Sequence, residues 1–284
     1  MTRSALALAL AVALGGCAAR APAPLSRAAD VTVGDARFRV RWTPGDERAA
    51  RAVIRALEAA APRVQRWGAF TRPVTITVHP DHAALEAAAA RPGYDWLRAW
   101  ARYDTIELQS PRSWSFFGPS ATKLEELVAH ELTHCAMYQL GGDELTWMYK
   151  EIPRWFSEGL ATVTARQGYR FPGAEALWAF YGKRLPGSGF GEPRRGGRPP
   201  VFHGDPIVDS DPIYQDQSEI VYGAAHLATE FLLRRYGEER VRELLRLMGR
   251  GQRFPAAFEA AVGITDAEFA ADFRRYVVWQ GWRR

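Results

Sequence analysis

Cysteine is the scarcest informative residue in this chain: 284 residues contain two, Cys17 and Cys135. Any disulfide-stapled scaffold is therefore excluded, and the fold must be held by its core. Runs of like charge are also missing. The formal charge of +5 comes from arginines scattered along the sequence, which reads as a solvated surface and not as a nucleic-acid arm. No apolar stretch approaches the length of about 20 residues that spans a bilayer as a helix. No internal repeat is visible, so solenoids and propellers drop out. At 47% hydrophobic and 24% charged, the composition is that of a folded protein with one sizeable domain or two small subdomains.

The N-terminus is shaped for export. Arg3 precedes the apolar run ALALALAVAL at residues 5–14, the length of a signal-peptide core. The run ends in Leu14-Gly15-Gly16-Cys17, which resembles a bacterial lipobox and implies cleavage before Cys17 and a lipid on that cysteine. Ala18 stands where an Asp would favour inner-membrane retention, so the expected site is the outer membrane. ARAPAPLSRAAD (residues 19–30) reads as an Ala/Pro tether. The expected organisation is a signal peptide at 1–17, a tether at 18–30 and one folded domain at 31–284. That domain divides into a sheet-containing part (31–140) and a helical part (141–284).

Periodicity predicts strands at ARFRVRW (36–42), VTITVHP (74–80) and TIELQS (105–110), alternating with a long helix from Asp46 to about Trp67 and an Ala-rich helix at 81–91. After the loop SWSFFGPS (113–120), Thr122 with Glu125 three residues on predicts a capping box, and Gly141-Gly142 predicts the helix end. A helix starts near Pro153. Residues 183–217 are rich in Pro and Gly and read as a loop or flap. Helices resume from Ser218, with a last one from about Asp266. The fold class is α+β: a small mixed sheet with helices, then a helical half, with a cleft between.

The helix between the two halves carries VAHELTHCAMYQL (128–140). Positions i and i+4 of a helix share a face, so His130 and His134 are placed to bind one Zn²⁺ through ring nitrogens. Glu131 points obliquely beside them, where a carboxylate can take a proton from water. The five residues alone arise by accident often enough to need support. A catalytic zinc wants a third protein ligand, and the candidate is Glu158, within the apolar segment Pro153-Arg154-Trp155-Phe156-Ser157-Glu158-Gly159-Leu160-Ala161. Cys135 reads as a small core residue. His79, His82 and His203 are assigned no role.

HELTH followed by PRWFSEGLA resembles the gluzincin zinc metallopeptidases, and within them the peptidase MA-like group. The resemblance implies His130, His134 and Glu158 as zinc ligands and Glu131 as general base in peptide-bond hydrolysis. It also implies a Tyr or His from a later helix as oxyanion donor. Tyr222 and His226 share a helix face there, and Tyr222 is preferred because a phenol donates at neutral pH. Where some members place an acidic residue to orient a ligand histidine, this chain has Thr162, a weaker acceptor. By the same resemblance TIELQS is the edge strand that pairs with substrate, and SWSFF and the 183–217 segment wall the cleft. The expected partners are a peptide or protein substrate and, through Cys17, a membrane; no nucleic acid is expected, and the oligomeric state stays open. The alternative is a lipid-anchored, non-catalytic envelope protein that binds peptide or glycan with the same fold.

Overall fold

A computed structural model describes residues 25–184, 204–214 and 216–282. The expected signal peptide, Cys17 and most of the 183–217 segment, His203 included, lie outside the described residues. Five strands form one mixed sheet in the order β1-β2-β3-β5-β4. β2 (Ala36–Trp42), β3 (Val74–His79) and β5 (Thr105–Gln109) run parallel. β1 (Arg27–Val33) and β4 (Ala99–Ala101) flank them antiparallel.

Two expectations are corrected at the sheet's edges. Residues 27–30, read as tether, already belong to β1, because the strand pairs with β2 over its whole length, Arg27 opposite Trp42. TIELQS is an inner strand. The edge belongs to β4, whose three residues pair with β5 by Ala99↔Leu108 and Ala101↔Ile106.

The alternation in β2 is obeyed residue by residue: Ala36, Phe38 and Val40 point into the core while Arg37, Arg39 and Arg41 face out. α1 (Glu47–Gln65) buries Val53, Leu57 and Val64 against the sheet, each contributing roughly 1.5–3 kcal/mol. α2 (His82–Ala89) packs near β3 and β5 through a small separate cluster of Leu85, Ala89 and Leu97.

α3 (Ala121–Gly141) is the centre of the molecule. Its Leu124, Val128, Leu132 and Cys135 join the sheet core, whereas Met137 joins a second, helical core. Its cap is Ser120, whose hydroxyl accepts from the Lys123 N–H at 3.2 Å. The predicted Thr122 box does not form: the helix begins at Ala121, so Thr122 lies inside it, and Glu125 pairs with Arg63 of α1. The second core is built from α4 (Arg154–Thr164), α5 (Ala174–Arg184), α6 (Asp211–Tyr214), α7 (Ser218–Tyr236), α8 (Glu238–Gly249), α9 (Phe254–Val262) and α10 (Asp266–Trp282). No helix among the described residues is long and apolar enough to cross a membrane.

Candidate metal centre

The helical period of α3 puts His130 and His134 one turn apart, and both are buried. Their Nε2 atoms stand 3.2 Å from each other. α4 brings Glu158 to them: its Oε2 lies 3.3 Å from Nε2 of His130 and 3.6 Å from Nε2 of His134. Three ligands held tetrahedrally at about 2.0–2.1 Å from zinc are spaced by about 3.4 Å, so this triangle fits the ion. Glu158 Oε2 is also a buried acceptor with no hydrogen bond of normal geometry, as expected of a ligand atom. His130, His134 and Glu158 could thus hold a metal ion. Burial would raise the Glu158 carboxyl, but the neighbouring imidazoles of His134 and His130 outweigh it and hold it low. Burial works against the His130 imidazolium too, yet the close Glu158 carboxylate and the Glu131 charge raise that pKa.

Sequence reasoning did not find what orients His130. Its Nδ1–H donates to Oε1 of Gln167 at 3.0 Å, which leaves Nε2 as the lone-pair nitrogen facing the cluster. Gln167 reaches it because α4 ends in a tight left-handed turn: Arg166 takes φ +59°, Arg166 N–H returns to Val163 O, and Gln167 N–H returns to Thr162 O. Glycine usually marks that turn, and an arginine there gives no signal. The expectation for Thr162 is corrected. Its hydroxyl donates to Gly159 O at 3.0 Å and faces His226 Nδ1 at 3.3 Å, so the histidine it touches is not one of the pair on α3.

Glu131 is buried beside the triangle. Desolvation raises its pKa against the opposing His130 and His134 imidazoles. A backbone hydrogen bond from Ala101 reaches its carboxylate, which puts edge strand β4 at the site. Cys135 is core, as expected, with Sγ 3.1 Å from Arg102 O under the β4–β5 hairpin.

Of the two oxyanion candidates, Tyr222 is the one on which the Glu158 and Glu131 charges act. Burial pushes its phenol well up, and the Glu158 and Glu131 charges push further the same way, so it stays a donor at neutral pH. Its hydroxyl lies 3.1 Å from that of Tyr214, and its ring stacks on Phe171 with centroids 5.3 Å apart. His226 is engaged elsewhere, by Thr162 and, at 3.7 Å, by Glu230. The SWSFF loop is neither core nor cleft wall at its tip, where Phe116 and Phe117 stand in solvent.

A second gathering of donors, His82, Glu86 and Asp95, closes a turn: Glu86 Oε1 accepts from the Gly93 and Tyr94 N–H groups.

Neither a protein-family model nor a curated protein matches the chain. Among solved structures it is similar to a two-domain M1 zinc metallopeptidase bound to L-arginine, with TM-score 0.45, 17% identity, and coverage of 88% of this chain and 51% of that one. The M1 zinc metallopeptidase from Deinococcus radiodurans gives TM-score 0.44 and 17% identity, with 88% and 51% covered. Legionella pneumophila aminopeptidase A in complex with aspartic acid gives TM-score 0.47 and 14% identity, with 87% and 27% covered. The chain spans about half the length of the first two of these proteins and about a quarter of the third. What its site can do rests on its own residues.

Proposed function

We propose that this chain is a zinc-dependent peptidase of the bacterial cell envelope. The observation that carries the reading is the triangle of His130, His134 and Glu158 donor atoms, with Glu131 buried beside it. His130 and His134 would hold the ion through Nε2 and Glu158 through its carboxylate. A zinc ion held there would supply Lewis acidity for an amide carbonyl and for the attacking water near neutral pH.

The remaining chemistry belongs to side chains. Glu131 takes the proton of the attacking water on its carboxylate and passes it to the leaving amine nitrogen. The Tyr222 phenol donates to the oxygen on which negative charge develops. The open side of β4 offers backbone groups to an extended peptide, adding a strand to the sheet. The envelope assignment is supported by Arg3, the 5–14 apolar run and Cys17, which would carry the lipid.

Elemental analysis tests the reading first: close to one zinc per chain is expected, and none under zinc-replete conditions at neutral pH removes it. Proteome-derived peptides then compare the parent with Glu131→Gln. A loss of roughly 10²–10⁴-fold in cleavage is expected. Equal cleavage removes Glu131 as base. Zinc without cleavage in either form favours the alternative, a non-catalytic envelope protein that binds peptide or glycan.

A further inference from the structure

Phe116 and Phe117 are 95% and 93% exposed, at the tip of the loop that precedes α3. Their rings meet edge to face with centroids 5.0 Å apart. Two adjacent phenylalanines wholly in water are a cost to solubility that a free loop tip has no packing reason to carry. Behind them, between the loop and α1, runs a groove of about 760 Å³ floored by Ala49, Ala52 and Leu124.

The groove's rim is cationic. Arg48, Arg55 and Arg112 line it, and Arg51 is exposed on the same helix. Of the nearby acids, Glu125 pairs with Arg63 and buried Asp46 with Arg112 and the Ser110 hydroxyl, while Glu47, which accepts from the Gly45 N–H, keeps its charge. Arg48, Arg51 and Arg55 are in no ion pair among the described residues, and against Glu47 and Glu58 of the same helix they still leave the charge positive. Apolar rings projecting from a ring of arginines complement a surface that is anionic outside and hydrocarbon within.

The course of the chain agrees. β2, β3 and β5 are parallel, so they finish at one end of the sheet, where the 43–46 turn and the 110–120 loop lie. Arg27, opposite Trp42, begins β1 at that same end. Cys17 stands ten positions earlier in the sequence.

We propose that this face docks on an anionic phospholipid surface. The Phe116 and Phe117 rings enter the boundary between headgroups and acyl chains, and Arg48, Arg51 and Arg55 meet phosphates. The proposal needs neither the metal nor a lipid on Cys17. It bears on substrate, because His130 follows Ser120 by ten positions on α3, a helical distance of about 15 Å. The cluster is thereby held close over the bilayer, within reach of membrane-proximal segments of envelope proteins.

The test uses the full chain with Cys17→Ser and an environment-sensitive fluorophore on the thiol introduced by Phe117→Cys, since Cys135 is buried. Vesicles of phosphatidylethanolamine with phosphatidylglycerol should shift its emission to the blue and brighten it. Phosphatidylcholine vesicles should do so far less, and added salt should weaken the response. Arg48→Glu with Arg55→Glu should lower the apparent vesicle affinity at least about tenfold. No shift with anionic vesicles overturns the proposal, as does an equal response to neutral ones or an unchanged affinity in the arginine variant. A protein partner seated on the same face would give that first, negative result. Phe116→Ser with Phe117→Ser should keep zinc content and cleavage of soluble peptides at parental levels, so failure here is distinct from failure of the peptidase reading.

Discussion

Gln167 accepts the Nδ1 proton of His130 across 3.0 Å, and both side chains are buried. An amide in that place fixes the imidazole's tautomer and plane but adds no negative charge behind it. Gln167→Ala should therefore weaken zinc binding by about 10–100-fold, read by competition with a chelating dye. Gln167→Glu should tighten it, because a carboxylate makes the ring a better donor. An unaltered affinity in the alanine variant would mean the hydrogen bond is idle.

The turn that delivers Gln167 holds an exposed arginine at φ +59°, a conformation that costs an L-residue roughly 1–2 kcal/mol. Arg166→Gly should recover about 1 kcal/mol of that. Denaturant unfolding would show a raised midpoint with an unchanged slope. A lowered midpoint would show that the Arg166 side chain contributes more than its backbone costs.

Gly159 lies directly after Glu158, against α7. A Cβ there would fall 2.1 Å from Thr229 Oγ1 and 2.3 Å from Ala225 O. Since α7 also carries Tyr222, this close approach sets the spacing between Glu158 and the phenol. Gly159→Ala should destabilise the fold by about 1–3 kcal/mol or more and reduce peptide cleavage beyond what the loss of folded protein explains. Thermal unfolding with matched activity per folded chain would detect it. Parental stability would mean the two helices can move apart freely.

Zinc removal offers a fourth test. An ion that binds only the folded chain at about a thousand times its dissociation constant stabilises by about 4 kcal/mol. For a chain of this size that is a melting-temperature shift of roughly 10 °C. Chelation should lower the transition by that order, re-addition should restore it, and Glu158→Gln should show a much smaller response. Identical melting curves with and without chelator would argue against a metal in the cluster.

What the sequence made legible was local. His130, Glu131 and His134 can be placed from helical period alone, and Glu158 from a ligand requirement met inside an apolar helix. The β2 strand could be read because it alternates without a break. The misses are non-local. A three-residue strand such as β4 has no periodicity to detect and exists only by pairing with β5. The part played by Gln167 depends on a helix end that usually takes glycine and here takes arginine. The cap lies at Ser120, two residues before Thr122, where its hydroxyl accepts from the Lys123 N–H, and Glu125 is held by Arg63 of another helix.

The brevity of β4 has a consequence for how long anything stays. An edge of three residues exposes few backbone donors and acceptors, so an added strand gains little from the sheet itself and must draw its residence time from the pockets around it. The same brevity makes the edge a poor template for a neighbouring molecule's strand. An enzyme crowded beside its own copies could keep such an edge open for substrate without inviting them to assemble along it.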